Sequence, residues 1–181
     1  MNATVEKEIR PIEETSMDVT LEEMLLAREE RVIRQQHILQ YDTSPLVCFT
    51  LNIPGPRKTS RKYEEMYETG IEWIKSTFDK NGISYVFRTD IRRKTGYEYY
   101  VSVKEEIRHV KEFMCRLEDG SQLGRVFDID VLKSDGTKIS RDEIAHNPRK
   151  CMLCEKQAQI CSRSRAHKVS ELVEYINHIN F

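Results

Sequence analysis

The segment from Gly124 to Leu132 carries the pattern that most constrains how this chain can fold. Its apolar and polar residues alternate, which is typical of a β-strand with one buried face. The core-facing row would be Phe127, Ile129 and Val131. The opposite row would be Val126, Asp128, Asp130 and Leu132. The rise per residue then separates the two carboxylates by about 7 Å along the strand, so the strand joins a hydrophobic anchor to a pair of acids.

The paired carboxylates allow two interpretations. Two like charges on one strand face repel each other unless a cation lies beside them, and Mg²⁺ bound to substrate phosphates is a common occupant. Asp128 and Asp130 are therefore predicted as catalytic residues and as Mg²⁺ ligands. The alternative is a solvated strand end that runs into the turn Ser134-Asp135-Gly136. A D-x-D pattern is short and does not decide between the two.

Length and composition indicate a globular protein. The 181 residues are 39% hydrophobic and 33% charged, which is enough to bury a core. We expect a flexible arm over residues 1–17 and a single domain over residues 18–181. No apolar run approaches the ~18 residues of a membrane span, and the polar, acidic N-terminus is not a secretory signal. Five cysteines do not form a secreted disulfide framework, so we expect a cytoplasmic protein without a membrane partner.

The order of the predicted elements indicates an α+β fold. Hydrophobic periodicity and turn residues predict strand 45–53, helix 60–79, strands 83–90 and 97–103, helix 104–117 and strand 123–132. This βαββαβ order is that of a ferredoxin-like split sheet, here with extra N- and C-terminal helices near 20–37 and 169–179. Nucleotidyltransferase and polymerase palm domains share the arrangement, but such a fold analogy does not establish function.

The first helix carries a cation in its predicted apolar stripe. Thr20 and Glu23 have the spacing of a capping box. The stripe consists of Leu21, Met24, Leu25, Val32 and Leu39. Arg28 lies in the middle of it, where a cation needs a partner or a ligand unless it reaches to the edge. Lys58 and its basic neighbours precede the next helix, where they form either an anion site or a solvated turn.

Three cysteines and a histidine follow near the C-terminus. Cys151, Cys154, Cys161 and His167 have the spacing C-x₂-C-x₆-C-x₅-H, for which zinc is one interpretation. A helical wheel, however, places the three cysteines and Ala158 on one stripe, as small buried side chains of a single helix. The second Cys-x₂-Cys pair of a zinc ribbon is missing, so we do not expect zinc here.

Six blocks of sequence point to a known family. They are Ala27-Arg28-Glu29-Glu30-Arg31, Pro45-Leu46-Val47, Pro54-Gly55-Pro56 with Lys58, Gly124-Arg125 with Asp128-Ile129-Asp130-Val131, Ser140-Arg141, and residues 148–155 with Cys161, Arg163 and His167. In this order and spacing the chain resembles the apo-citrate lyase phosphoribosyl-dephospho-CoA transferases, also called holo-citrate lyase synthases. Phe127 stands where a tryptophan is expected, and Ser162 where an alanine is expected. Neither departure affects a candidate catalytic group.

The resemblance implies a nucleotidyltransferase reaction. Such an enzyme transfers the phosphoribosyl-dephospho-CoA prosthetic group from triphosphoribosyl-dephospho-CoA to a serine of the citrate lyase acyl carrier (gamma) subunit, and diphosphate leaves. Asp128 and Asp130 would hold Mg²⁺ at the phosphates, and one of them or a nearby group would accept the serine proton. The candidate substrate-binding residues are Arg28, Arg31, Lys58, Arg125, Arg149, Arg163 and His167.

The charge distribution and the aromatic residues bear on the partners. Residues 133–168 hold nine basic and four acidic side chains, so the acidic carrier subunit would dock there. One alternative is a non-catalytic carrier-protein-binding module in which the aspartates only end a strand. A second is a nucleic-acid-binding domain with aromatics on the open sheet face, namely Tyr85, Phe87, Tyr97, Tyr99 and Tyr100. The carboxylate pair and the pI near 6.5 argue against nucleic acid as a partner.

Overall fold

The structure, a computed structural model, describes residues 18–181, so the arm expected over residues 1–17 lies outside the described residues. The helices are α1 (Leu21–Tyr41), α2 (Arg61–Lys80), α3 (Ile107–Asp119), α4 (Ala158–Ser164) and α5 (Val169–His178). The strands are β1 (Leu46–Leu51), β2 (Ser84–Arg93), β3 (Gly96–Lys104) and β4 (Phe127–Leu132). The predicted α+β class is confirmed. None of the helices within residues 18–181 is long and apolar enough to cross a membrane.

The four strands form one antiparallel sheet in the order β2-β3-β1-β4. The predicted hairpin is present, since the two-residue turn Lys94-Thr95 joins β2 to β3. Gly96, the first residue of β3, has a φ of 122°. The central strand β1 sets the register of its neighbours. Thr50 lies opposite Glu98 of β3 on one side and opposite Asp128 of β4 on the other. Three polar residues therefore form a row across three strands.

Helices α2 and α3 cover one face of the sheet and form the main core. Both helices begin near the predicted positions, and Ser60 caps α2 by accepting a hydrogen bond from the Tyr63 backbone. The sheet contributes Val47, Phe49, Val101, Phe127, Ile129 and Val131 to this core, all nearly or fully buried. The alternation predicted for residues 127–132 is thus observed, with the aspartates on the opposite face.

The close approach of α2 to the sheet depends on Gly70. A Cβ atom at this position would collide with the ring of Phe49 and would come within 3.1 Å of the ring of Phe127. Phe49 also packs edge-on against Phe127, with ring centroids 5.0 Å apart. The glycine therefore lets two sheet aromatics seat directly against the helix.

Helix α1 covers only part of the other face. The capping box is observed: the Thr20 hydroxyl accepts from the Glu23 backbone at 3.1 Å, and the Glu23 carboxylate accepts from the Thr20 backbone at 2.8 Å. The predicted apolar stripe is wrong over most of its length, because Leu21, Leu25 and Val32 are exposed, although its last member, Leu39, is buried. The buried residues are Ala27, Ile38 and Leu39. Only the last turns of α1 have apolar sheet residues to pack against, namely Leu46, Cys48, Tyr100 and Leu132.

The start of β4 also differs from the prediction. Residues Gly124–Val126 form a 3₁₀ turn, and the strand begins at Phe127. The turn interrupts the alternation, so Val126 is buried in the main core instead of lying on the aspartate face. A side chain at Gly124 would collide with the backbone of Leu117 at the end of α3. Close packing between the turn and α3 therefore shortens the strand.

Candidate active site

The acidic pair lies on the sheet face that α1 only partly covers. Asp128 is opposite Thr50 and Asp130 is opposite Cys48 on the neighbouring strand β1. The Asp128 side chain is 50% exposed and that of Asp130 is 31% exposed. Both carboxylates are thus held in place by the sheet and partly exposed, so a ligand can reach them.

Each aspartate has a cationic partner from the chain itself. Lys138 Nζ lies 2.5 Å from Asp130, and an Arg149 guanidinium nitrogen lies 3.5 Å from Asp128. Burial alone would lower the pKa of Lys138, but the hydrogen bond and charge of Asp130 outweigh it and raise that pKa. The cation that the sequence argument required beside the carboxylates is therefore supplied in part by lysine and arginine.

A small polar cavity of about 150 Å³ brings several predicted site residues together between α1 and the sheet. Its lining includes Arg28 and Arg31 from α1, Lys58 from the loop before α2, and Asp128 from β4. Lys58 Nζ donates to the Ile53 carbonyl at 2.6 Å. Within residues 18–181, Arg28 and Lys58 form no ion pair with a carboxylate. Two cations without a carboxylate partner in that range make this cavity suited to an anion.

The surroundings of Lys58 in the small cavity lower its pKa. Half-burial of its ammonium group, and then the nearby charge of Arg28, lower the pKa of Lys58 below its ordinary value. A phosphate in the cavity would relieve both effects by pairing with the two cations. Arg28 is exposed and its predicted apolar surroundings are absent, but it faces the predicted kind of ligand site.

Arg31 is positioned by a residue that the sequence argument missed. Glu98 of β3 is 7% exposed and accepts from Arg31 at 3.1 Å and from Arg34 at 2.6 Å. Tyr100 donates to the same carboxylate at 2.5 Å, and its pKa is raised by burial and by Glu98. The available signal was the position of Glu98 between Tyr97 and Tyr99, where a charge interrupts a strand that is otherwise apolar.

A larger cavity of about 610 Å³ lies beside the small one. Asn52 lines both cavities, and Arg149, which contacts Asp128, lines the larger one. The rest of its wall comes from Pro54, from residues 150–152, from α4, from the start of α5 and from the residues between these two helices, including His167 and Lys168. The aspartate face is therefore bordered by a small cavity lined with cations on one side and by a roomier, more apolar cavity on the other.

Arg149 links the aspartate face to α3. Its guanidinium donates to the backbone carbonyls of Arg125, at 2.7 Å, and of Phe127, and it lies 3.5 Å from Glu118. Glu118 is 4% exposed and also accepts from the Ile129 backbone and from Arg141. This network fixes Arg149 at the end of β4.

Two predicted substrate-binding residues lie away from both cavity linings. Arg125 belongs to the 3₁₀ turn, where it contacts the Cys151 carbonyl at 3.4 Å and lies 3.8 Å from Glu155. Arg163 is exposed near the end of α4. The structure brings together Arg28, Arg31, Lys58, Asp128 and Arg149, and it does not bring Arg125 or Arg163 to them.

The cysteines do not lie on a single helix, so that interpretation is wrong. Helix α4 begins only at Ala158, and Cys151 and Cys154 lie in the loop before it. A backbone bridge between Lys150 and Gln157 closes this loop, and such a pairing is invisible to a helical wheel. The ligand atoms of Cys151, Cys154, Cys161 and His167 all lie within 4.8 Å of one another. The expected burial of the cysteines along one helix therefore no longer counts against zinc.

The cysteine thiols differ in acidity. A hydrogen bond from the Lys156 backbone, and then one from His167, lower the pKa of Cys154 to about 7. Burial and the neighbouring cysteines raise the pKa of Cys161 to about 11. All five cysteines of the chain are free thiols.

Paired carboxylates on a sheet face, bordered by arginine and lysine side chains, are typical of enzymes that act on phosphorylated substrates. Within that class, the chain belongs to the apo-citrate lyase phosphoribosyl-dephospho-CoA transferase family, whose model matches residues 19–180. The chain is 38% identical over 165 residues to a probable apo-citrate lyase phosphoribosyl-dephospho-CoA transferase of Streptococcus pyogenes serotype M3. That alignment covers 89% of this chain and 85% of the relative.

A less similar relative carries the name of the same family. The chain is 33% identical over 155 residues to an apo-citrate lyase phosphoribosyl-dephospho-CoA transferase of Escherichia coli O1:K1 / APEC. This alignment covers 86% of the chain and 85% of the relative. The family model spans nearly all of the described residues, and each relative is aligned with more than four fifths of the chain, so the family resemblance noted in the sequence is confirmed.

Proposed function

We propose that this protein transfers the phosphoribosyl-dephospho-CoA group from its triphosphoribosyl precursor to a serine of the citrate lyase acyl carrier subunit, with release of diphosphate. The observation that carries the proposal is the small cavity, where Arg28, Lys58 and Asp128 line one polar space in a member of this transferase family. Cations that have no carboxylate partner within residues 18–181, next to a carboxylate, are suited to a reaction at a phosphate.

The reaction exchanges one bond to phosphorus for another. The serine oxygen attacks the phosphorus next to the ribose, an O–P bond forms, and the bond to the departing diphosphate breaks. The serine proton passes to a base, for which Asp128, Asp130 or a nearby group is available. Such a reaction needs charge neutralisation and in-line positioning more than covalent help. Arg28, Arg31 and Lys58 would bind the departing diphosphate end.

The aspartates also fit Mg²⁺. Their carboxylate oxygens are hard ligands, and their partial exposure leaves room for phosphate oxygens and water. Asp128 and Asp130 are the residues that would hold the ion, which would supply charge neutralisation at the phosphates. Lys138 and Arg149 now partner these carboxylates. Lys138, with a largely exposed side chain, could turn toward a bound phosphate, whereas Arg149 would stay in place beside Asp128.

The larger cavity is assigned to the dephospho-CoA part of the substrate. Its volume of about 610 Å³ and its partly apolar wall, with Met152 and Leu172, suit an adenosine or pantetheine group. Arg149 stands at its border with Asp128 and would contact the CoA diphosphate. The basic surface of residues 133–168, which includes Arg163, is assigned to the acidic carrier subunit.

We also assign the fold to the ferredoxin-like group. The element order βαββαβ, the strand order β2-β3-β1-β4 and the two helices α2 and α3 on one face support this assignment. The nucleic-acid alternative is weakened, because three of its five aromatics, Tyr97, Tyr99 and Tyr100, are buried and cannot stack on bases, while Phe87 is exposed. The remaining alternative is a carrier-binding module without catalysis.

A single assay separates these functions. Purified protein is mixed with the apo carrier subunit and triphosphoribosyl-dephospho-CoA, and the carrier mass and free diphosphate are followed. We expect a mass gain on the carrier equal to the prosthetic group and one diphosphate per modified carrier. A carrier whose acceptor serine is replaced by alanine is the control. Binding of the carrier without any mass gain would favour the non-catalytic module.

A further inference from the structure

We propose that Cys151, Cys154, Cys161 and His167 bind one structural Zn²⁺ ion. Their ligand atoms lie within 4.8 Å of one another, and no other group of three or more potential metal ligands is gathered in this way within residues 18–181. Three sulfur atoms and one imidazole nitrogen form a complete Cys₃His set. Because all four positions are filled by protein, the site is closed, as structural zinc sites are.

The distances fit a tetrahedral centre. Zinc lies about 2.3 Å from sulfur and about 2.0–2.1 Å from nitrogen, so tetrahedral ligand atoms are about 3.5–3.8 Å apart. The Cys154 sulfur lies 3.5 Å from the Cys161 sulfur and 3.5 Å from His167 Nε2. These two separations match a tetrahedral zinc site, and the remaining pairs of ligand atoms stay within 4.8 Å.

The backbone presents these ligands from two directions. The loop that carries Cys151 and Cys154 is closed by hydrogen bonds from Cys151 to the Lys156 carbonyl and from Ala158 to the Arg149 carbonyl, both 2.8 Å long. The Lys156 backbone also donates to the Cys154 sulfur, a contact that orients the ligand. Cys161 follows on α4.

The fourth ligand returns to the cluster through a helix end. Helix α4 ends at Arg165, which adopts the left-handed conformation with φ of 49°. The Ala166 backbone then donates to the Cys161 carbonyl at 3.0 Å, and the chain turns back so that His167 meets Cys154. Loop, helix and turn thus converge on one point.

The segment has little else to hold it in place. Between residues 145 and 168 the buried residues are Cys151, Met152 and Cys161, and two of these belong to the cluster. A stretch of this length with so few apolar residues in a core does not become ordered by hydrophobic burial alone. A metal ion supplies the missing constraint, as in small metal-stabilised modules. Cys151, Cys161 and His167 also line the larger cavity, so the ion would hold part of the wall that is assigned to dephospho-CoA. The tests below measure metal content and order, and neither depends on transfer activity.

The first test is metal content. Untagged full-length protein, purified without chelator from zinc-supplemented cells, should contain about one zinc per chain by elemental analysis. Cys154→Ser should lose it, and Cys115→Ser should keep it, because Cys115 is a buried free thiol in α3 outside the cluster. Cobalt-loaded wild type should give the spectrum of tetrahedral cobalt bound to thiolates. Protein with no zinc and with the cluster thiols freely reactive, or joined in a disulfide, would overturn the proposal.

The second test measures order and needs no variant that folds poorly. Wild-type protein is compared with and without zinc removal under limited trypsin digestion, since Lys150, Lys156, Arg163 and Arg165 are potential cleavage sites in the segment. Zinc removal should make cleavage there at least ~10-fold faster and leave the sheet region resistant, and added zinc should restore protection. Equal cleavage rates in both forms would contradict a structural role.

Discussion

The face of the sheet that meets α2 and α3 carries Phe49, Phe127 and Ile129, which are all buried. The face toward α1 carries Thr50, Glu98 and Asp128 in one row across three strands. Adjacent residues of β4 therefore belong to opposite environments. On one side the chain is stabilised by burial, and on the other it gathers charges whose mutual repulsion and desolvation oppose folding.

Neighbouring residues of β4, such as Phe127 and Asp128, should therefore differ in whether they affect stability or function. Residues on the α2 and α3 side should affect the free energy of unfolding, and those on the α1 side should affect the transfer rate. Substitutions at neighbouring positions of β4 test this division directly, because the backbone and the strand register are shared.

Phe127→Ala should have the largest effect, a loss of about 3–5 kcal/mol in the free energy of unfolding. The ring is fully buried and packs against both Phe49 and Trp73. Urea denaturation followed by circular dichroism measures the change. Phe87→Ala is the matched control, since that ring is 39% exposed on β2 and should cost far less. Equal losses for the two variants would remove the distinction between the faces.

Asp128→Asn and Asp130→Asn should each lower the transfer rate by at least ~100-fold, the effect expected when charge stabilisation in the transition state is lost. Both variants should stay folded, because the carboxylates are partly exposed and the released Lys138 is accessible to water. Carrier modification, measured by mass spectrometry at equal folded fraction, is the readout. Asp142→Asn, an exposed acid outside the site, is the control.

The metal dependence sharpens this second prediction. Wild-type transfer should stop in EDTA and recover when Mg²⁺ or Mn²⁺ is added in excess. Recovery with Mg²⁺ alone separates the aspartate site from the cysteine cluster, which would need zinc. A folded double Asn variant with near wild-type transfer, or full activity in EDTA, would return the aspartates to the interpretation of a polar strand end.

Arg28→Ala should lower the transfer rate by about 10-fold, because the variant loses one charged hydrogen bond to the phosphate. Its side chain lines the small cavity. The adjacent Glu29→Ala does not alter that lining and should have little effect, so it serves as the control. If both variants modify the carrier at the same rate, Arg28 has no role in phosphate binding.

The smallest effect should be a pH dependence of stability at Lys58. The folded-state pKa of Lys58 is lowered by half-burial and by Arg28, so near pH 10 the unfolded chain binds more protons at this position than the folded chain does. Its contribution to stability therefore rises as the pH increases through the lowered pKa toward the ordinary value of 10.5. Lys138 and buried tyrosines such as Tyr100, whose pKa values are raised, change stability in the opposite direction at high pH, so the rise is measured as the difference in urea unfolding between wild type and Lys58→Met. The same difference taken with Lys80→Met, at an exposed helix end, should show no rise.

The two faces also differ in how far the sequence could predict them. The row of Phe127, Ile129 and Val131 followed from strand periodicity, which depends only on local geometry. The convergence of Arg28, Lys58 and Asp128 could not be derived in that way, since it depends on where α1 and a loop lie above the sheet. Family resemblance named these residues, but no local pattern placed them together.

Two local predictions failed for a common physical reason. The apolar stripe of α1 has the periodicity of a packed helix, yet the sheet beneath its first half is polar, so Leu21 and Leu25 stay exposed. The cysteines have helical spacing, yet the bridge between Lys150 and Gln157 selects a loop. In both places a partner distant in sequence decides the outcome, and periodicity carries no information about that partner.

The incomplete burial of α1 has a consequence for motion. Over the 21 residues of this helix only Ala27, Ile38 and Leu39 are buried, and the last two lie in its C-terminal third. Opening the first turns therefore exposes little apolar surface and costs less free energy than opening the sheet. Backbone amides around Arg28 should exchange with deuterium sooner than those of β1. The cavity proposed to receive the phosphates is thus bounded by the sheet on one side and by the easily opened first turns of α1 on the other. A bound anion should therefore slow deuterium exchange in α1 and leave exchange in the sheet unchanged.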